Sequence, residues 1–161
     1  MKRILFVCLG NICRSPAAEA VLRSKAIARN VDLQVASAGT GGWHQGDGAD
    51  PRMVRAAGRR GYRLDRHRAR QVVFSDFYEF DYLLALDLRN RSDLLAMAPP
   101  NRECDIRLFL DFSGGETRET PDPYHGGDDG FERVLDLIEA GADGFLAHLD
   151  VNGASSRPGR N

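Results

Sequence analysis

No apolar run in this 161-residue chain approaches the ~20 residues needed to cross a bilayer, which excludes a membrane-spanning helix. Neither sign of charge is in excess: 22 Lys and Arg against 23 Asp and Glu leave a net charge of −1. The broad basic field used by nucleic-acid binders is therefore missing, and neither a nucleic acid nor a membrane is an expected partner. Cysteine is scarce and odd in number, three in all, which argues against a disulfide framework and for a reducing compartment. The first apolar run stops at Val7 and leads into a chemically busy turn. No signal peptide is read there, so the cytoplasm is the expected location. The four histidines, His44, His67, His125 and His148, lack ligand spacing, and no Gly-Lys-Ser/Thr phosphate motif is present. No metal and no cofactor are called for. There are no repeats and no internal boundary, so residues 1–150 read as one domain, with 151–161 a polar, disordered tail.

What is present is concentrated near the start. Residues 3–7, with the apolar run Ile4-Leu5-Phe6-Val7, read as a buried strand, and Ala18, Val21, Leu22 and Ala26 recur at helical spacing in a helix to about Arg29. Between them lies Cys8-Leu9-Gly10-Asn11-Ile12-Cys13-Arg14-Ser15. A strand-to-helix turn points unpaired N–H groups and the positive end of the helix dipole at one place, an anion site that also favours a thiolate. Gly10 and Asn11 suit the unusual backbone angles such a loop needs. Arg14 adds a fork that fits two phosphate oxygens. Ser15 is the expected helix N-cap and Pro16 the first helical residue.

Further along, 31–37 reads as a second strand and Gly39 to Asp50 as a flexible stretch with five glycines around Trp43. Asp50-Pro51 opens a helix that Gly61 ends; 80–86, 88–97 and 106–110 read as strand, helix and strand. A loop from Ser113 to Gly127 precedes a long amphipathic helix that tolerates Gly141 and Gly144. Strand and helix alternate, which implies an α/β fold with a parallel sheet covered on both faces and ligands at the carboxyl ends of its strands.

The segment VCLGNICRSPAAE, Val7 to Glu19, resembles the signature of the low-molecular-weight protein tyrosine phosphatases. Supporting matches are Ser37-Ala38-Gly39-Thr40, Trp43, Asp50-Pro51-Arg52, His67-Arg68-Ala69-Arg70, Asp81-Tyr82, Asp87 and Pro121-Asp122-Pro123-Tyr124. The resemblance implies a three-layer α/β/α fold with a four-stranded parallel sheet in flavodoxin-like order 2-1-3-4 and a phosphate-binding loop after strand 1. It implies that Cys8 attacks phosphorus and forms a phosphocysteine. Leu9, Gly10, Asn11, Ile12, Cys13 and Ser15 would frame the phosphate with Arg14, and Asp122 would act as general acid and base. Ser15 would also donate to the thiolate. Trp43, Tyr124 and His125 would wall the pocket, His125 standing where many members carry a second tyrosine. Ser37, His67 and Asp87 would brace the loop, and Cys13 would be a redox partner for Cys8. Cys104, near the start of the fourth strand, is read separately from its position as buried and inert. The implied partners are phosphotyrosine proteins, with inorganic phosphate, sulfate or vanadate as active-site ligands and a monomer or weak dimer as the state in solution. Two alternatives stand beside this. An arsenate reductase on the same fold would need further cysteines, and residues 80–103 contain none. A non-catalytic phosphotyrosine-binding module would be expected to lose the nucleophile or the acid, and Cys8 and Asp122 are both present.

Overall fold

A computed structural model describes residues 1–123 and 127–156. Four parallel strands form one sheet: β1 (Lys2–Cys8), β2 (Leu33–Gly39), β3 (Tyr82–Ala85) and β4 (Asp105–Leu108), in the order β2-β1-β3-β4. This is the order expected. Between and after them come α1 (Arg14–Ala28), α2 (Pro51–Arg59), α3 (Asp76–Glu79), α4 (Leu88–Met97) and α5 (Asp128–Ser156).

The alternation along β1 explains the layers. Ile4 and Phe6 join a core with α1, α2 and α5, through Val21, Leu22, Met53, Phe131 and Phe145. Leu5 and Val7 point the other way, to Phe77 of α3 and Leu94 of α4. A strand buried on both faces shows no polar alternation, which is why it reads as an unbroken apolar run. In a sheet wound in this order the chain leaves β1 to one side for β2 and returns to its other side for β3. The carboxyl end of β1 is therefore the crevice where ligands collect.

Several boundaries differ from the sequence reading for identifiable reasons. β2 starts at Leu33 because Asn30 takes a left-handed conformation (φ 54°) and the Val31 amide turns back to the Ala26 carbonyl, 2.9 Å. β4 ends at Leu108, and the chain tightens into a 3-10 turn at Phe109–Phe112 instead of continuing as strand to residue 110. That turn sits against α5, and it explains the helix glycines. A Cβ at Gly141 would come within 2.7 Å of the Phe109 ring, and one at Gly144 within 1.7 Å of the Phe112 carbonyl. α3 is too short to show a period and was not expected. α5 runs to Ser156, so the stretch from 151 read as tail is helical that far. The Gly39–Asp50 stretch is tied down: Gly46 N–H donates to Ala69 O and Ala69 N–H to Asp47 O, each 2.8 Å.

Candidate active site

The turn from β1 into α1 is held from outside by its carbonyls. Those of Cys8 and Leu9 accept from the amides of Thr40 and Gly41, each 2.9 Å, and that of Ile12 accepts from Asp50 N–H at 2.7 Å. The Asn11 carbonyl accepts from His67 Nε2 at 2.6 Å, and the Cys13 carbonyl from Ala17 N–H. Among the described residues, no N–H from Leu9 to Ser15 is used in a hydrogen bond. A loop whose carbonyls are satisfied at the back and whose amides remain unspent is a cradle for an oxyanion.

Asn11 takes the unusual backbone angle expected of it, alone in the loop with a positive φ, 56°, and Gly10 does not. The lack of a side chain at Gly10 instead admits His44, whose Cδ2 would lie 3.0 Å from a Cβ there. Gly39, at the end of β2, is the closer fit: a Cβ would come within 2.6 Å of the Leu9 carbonyl and 3.1 Å of the Asn11 amide nitrogen.

Hydrogen-bond direction through the site follows from one backbone amide. Arg70 N–H donates to Asn11 Oδ1 at 2.9 Å, so Nδ2 is turned to the Ser15 and Ser37 hydroxyl oxygens, at 2.8 and 3.0 Å. Each hydroxyl accepts from Asn11 and must give its single proton elsewhere. Ser37 donates to Glu19 Oε1 at 2.7 Å, and Ser15, 2.9 Å from Cys8 Sγ, donates to the sulfur. Asn11, Ser15 and Cys8 are buried, which strengthens these hydrogen bonds by lowering the local dielectric. Ser15 is consequently not the helix N-cap. Cys13 holds that position with no side-chain bond, α1 starts at Arg14, and the serine hydroxyl serves the sulfur instead.

Arg14 is buried beside the loop. Its Nη1 makes both of its hydrogen bonds among the described residues, to Asp87 Oδ2 at 2.7 Å and the Thr120 carbonyl at 3.0 Å, leaving Nη2 and Nε for a ligand. Burial alone would lower its pKa, but the charges of Cys8 and Asp87 hold it above the ordinary value. Asp87 also caps α4, accepting from Asn90 N–H at 2.7 Å. The Cys13 thiol is pushed well above the usual range by burial, reinforced by the charges of Asp50, Cys8 and Asp122. All three cysteines are free, and Cys104 is half-buried.

Of the expected residues, Cys8 to Ser15, Ser37, His67 and Asp87 come together in one hydrogen-bonded cluster. Asp122 is exposed on the segment that follows Thr120, near enough for its charge to act on Cys13 and Arg14. Trp43 is 73% exposed with its ring lying over Gly41. Tyr124 and His125 lie outside the described residues. Sequence reasoning missed Glu19, the Thr120 carbonyl and the Arg70 amide. Glu19 was visible as an acid one turn past Ser15; the other two are backbone contributions that leave no residue signal.

A family model described as low molecular weight phosphotyrosine protein phosphatase matches residues 3–155. The low molecular weight protein-tyrosine-phosphatase of Streptomyces coelicolor is 45% identical over 152 residues, 90% of this chain and 92% of that protein. The Bacillus subtilis protein YfkJ, named likewise, is 39% identical over 152 residues, covering 92% of this chain and 96% of its own. The crystal structure of a protein tyrosine phosphatase from Entamoeba histolytica, with Hepes in the active site, superposes with a TM-score of 0.90 at 41% identity. It covers 95% of this chain and 99% of that one.

Proposed function

The chain belongs to the low molecular weight phosphotyrosine protein phosphatase family and is a protein-tyrosine phosphatase; from that premise we propose how its own residues divide the work. Cys8 Sγ attacks phosphorus as a thiolate, the S–P bond forms, and the ester P–O bond breaks. The amides from Leu9 to Ser15 and the free edge of Arg14 bind the three non-bridging oxygens as their charge redistributes. Asp122, entering protonated, gives its proton to the departing phenolate oxygen. In the second step the Asp122 carboxylate takes a proton from water, whose oxygen attacks phosphorus. The S–P bond breaks, inorganic phosphate leaves, and the electron pair returns to Cys8. Ser15 stabilises that sulfur anion at both ends of the cycle.

The observation that carries the reading is the run of unspent amides closing around a sulfur that already has a hydroxyl donor. Trp43 supplies one aromatic wall for a phenyl ring; Tyr124 and His125 are proposed for the other side on sequence alone. Inorganic phosphate, sulfate and vanadate are the anions the cradle would take. We read residues 1–150 as one catalytic domain acting as a monomer or weak dimer. The cytoplasm suits its three free thiols. Among the described residues no helix is long and apolar enough to cross a membrane.

The test is a pair of variants. Cys8→Ser should abolish turnover of aryl phosphates while vanadate still binds. Asp122→Ala should slow substrates with poor leaving groups by about 10²–10⁴ and activated ones much less. Normal hydrolysis by both variants would refute the mechanism.

A further inference from the structure

The segment that carries Asp122 returns to the body of the protein at Glu119. Before it, residues 114–118 are exposed and are braced by the Arg118–Asp111 ion pair at 3.1 Å and by Gly115 N–H donating to Ser113 Oγ at 3.2 Å. Beside it lies an open cavity of about 590 Å³, bordered by Leu88, Glu119, Asp122 and Arg133. Thr120 and Pro123 are buried, and hydrogen bonds add to their packing in holding the segment there. Three are grouped within two residues. Glu119 Oε1 accepts from Leu88 N–H, the first amide of α4, at 2.9 Å. Thr120 N–H donates to the Leu86 carbonyl at 2.8 Å, and the Thr120 carbonyl accepts from Arg14 Nη1 at 3.0 Å.

These contacts close a ring. Arg14 holds Asp87, Asp87 caps α4 from one side, Glu119 caps it from the other, and Thr120 returns to Arg14. Two carboxylates share one helix start, where partly positive amides favour them. Only one of the two is needed to hold Arg14. We propose that Glu119 is a positioning residue for proton transfer: it fixes the acid-bearing segment on the start of α4, so that Asp122 meets the leaving oxygen of a phosphoryl group bound at Arg14. The inference rests on the assignment of Asp122 as general acid.

The experiment measures kcat and KM for a series of aryl phosphates, from the para-nitrophenyl ester to phenyl phosphate, in wild type, Glu119→Ala, Glu119→Gln, Asp122→Ala and the Glu119→Ala/Asp122→Ala double variant. Glu119→Ala should lower kcat about tenfold on phenyl phosphate, a fraction of what general acid catalysis supplies, and about twofold on the para-nitrophenyl ester, with KM little changed. Glu119→Gln, whose amide oxygen can still accept from Leu88 N–H, should restore most of the loss. In the Asp122→Ala background, removing Glu119 should add no further leaving-group dependence. An equal loss on every ester, or the same added loss without Asp122, would mean Glu119 serves the fold alone and would overturn the inference. If Asp122→Ala itself shows no leaving-group dependence, the assignment of the acid falls, and the inference falls with it for that separate reason.

Discussion

Gly39→Ala separates the geometry of the phosphate loop from everything else in the site, because residue 39 touches no ligand and titrates nothing. Its φ is not in the left-handed region, so alanine meets no backbone penalty and only the added methyl is felt. That methyl would stand 2.6 Å from the Leu9 carbonyl, 0.8 Å inside the 3.4 Å at which ordinary contact begins, and 3.1 Å from the Asn11 nitrogen. Both neighbours are backbone and cannot rotate away. The end of β2 is itself fixed, since Gly39 N–H donates to Arg70 O and its carbonyl accepts from Val72 N–H, each 2.8 Å. The loop must therefore yield, toward the space the anion occupies. Overpacking of this kind costs about 1–3 kcal/mol of stability. A displacement of a large fraction of an ångström should lower kcat/KM roughly 10- to 100-fold, or about 1.4–2.7 kcal/mol of transition-state binding. The assay is kcat/KM on para-nitrophenyl phosphate with the inhibition constant of inorganic phosphate, beside a urea titration. Gly58→Ala is the control: a Cβ there meets nothing within 4 Å, on helix α2, and should leave activity alone while adding about 0.5–1 kcal/mol of stability. If Gly39→Ala matches wild type in both phosphate affinity and kcat/KM, the loop is not held against β2 as described.

Three more expectations follow from the same contacts. Asn11→Asp keeps the shape but puts an acceptor where Nδ2 donates, so the Ser15 proton is drawn from Cys8 toward residue 11; kcat/KM and the alkylation rate of Cys8 by iodoacetate at neutral pH should both fall about tenfold or more, and an unchanged alkylation rate would break the directional chain. Asp50 is held below its ordinary value of 3.8, where the Arg52 hydrogen bonds outweigh burial. The unfolded chain then binds the extra proton first on acidification, so the stabilisation is full above about pH 4–5 and is lost as pH falls through the folded pKa. Urea midpoints of wild type and Asp50→Asn should stay apart above that range and converge below it, whereas a constant gap down to low pH would contradict the assignment. Peroxide should take Cys8 to a sulfenic acid, which the Cys13 thiol converts to a disulfide with release of water, so dithiol restores activity. Cys13→Ser should make the loss irreversible, and equal recovery of both proteins would exclude Cys13 from that role.

The parts of the site legible in the sequence were those in which chemistry is contiguous. Cys8 to Ser15 sit in eight successive residues, so strand, glycine, asparagine and arginine announce one another. α4 was bounded correctly because Asp87 and Pro99 punctuate it. Ser15 misled for an instructive reason: serine before proline is a good cap, but its hydroxyl bonds the buried Cys8 sulfur and the helix starts one residue earlier, at Arg14. Gly10 misled similarly, since a glycine can be required by a neighbour, here His44, without any unusual φ. The restraints from Arg70, Thr120 and Glu119 were not legible, because two act through backbone atoms and all reach across the fold.

That long reach has a consequence for folding. The loop is short, but the groups that shape it come from positions 40, 41, 50, 67, 70, 87 and 120, and Arg14 and Thr120 are 106 residues apart in sequence. A nascent or truncated chain containing the whole signature would still lack a binding site, because loop closures of this length must be completed before the amides converge. Anion affinity is thus a property of the finished fold. By mass action, phosphate at a hundred times its dissociation constant stabilises the native state by about 2.7 kcal/mol, so the product of the reaction is also a ligand that protects the enzyme from unfolding.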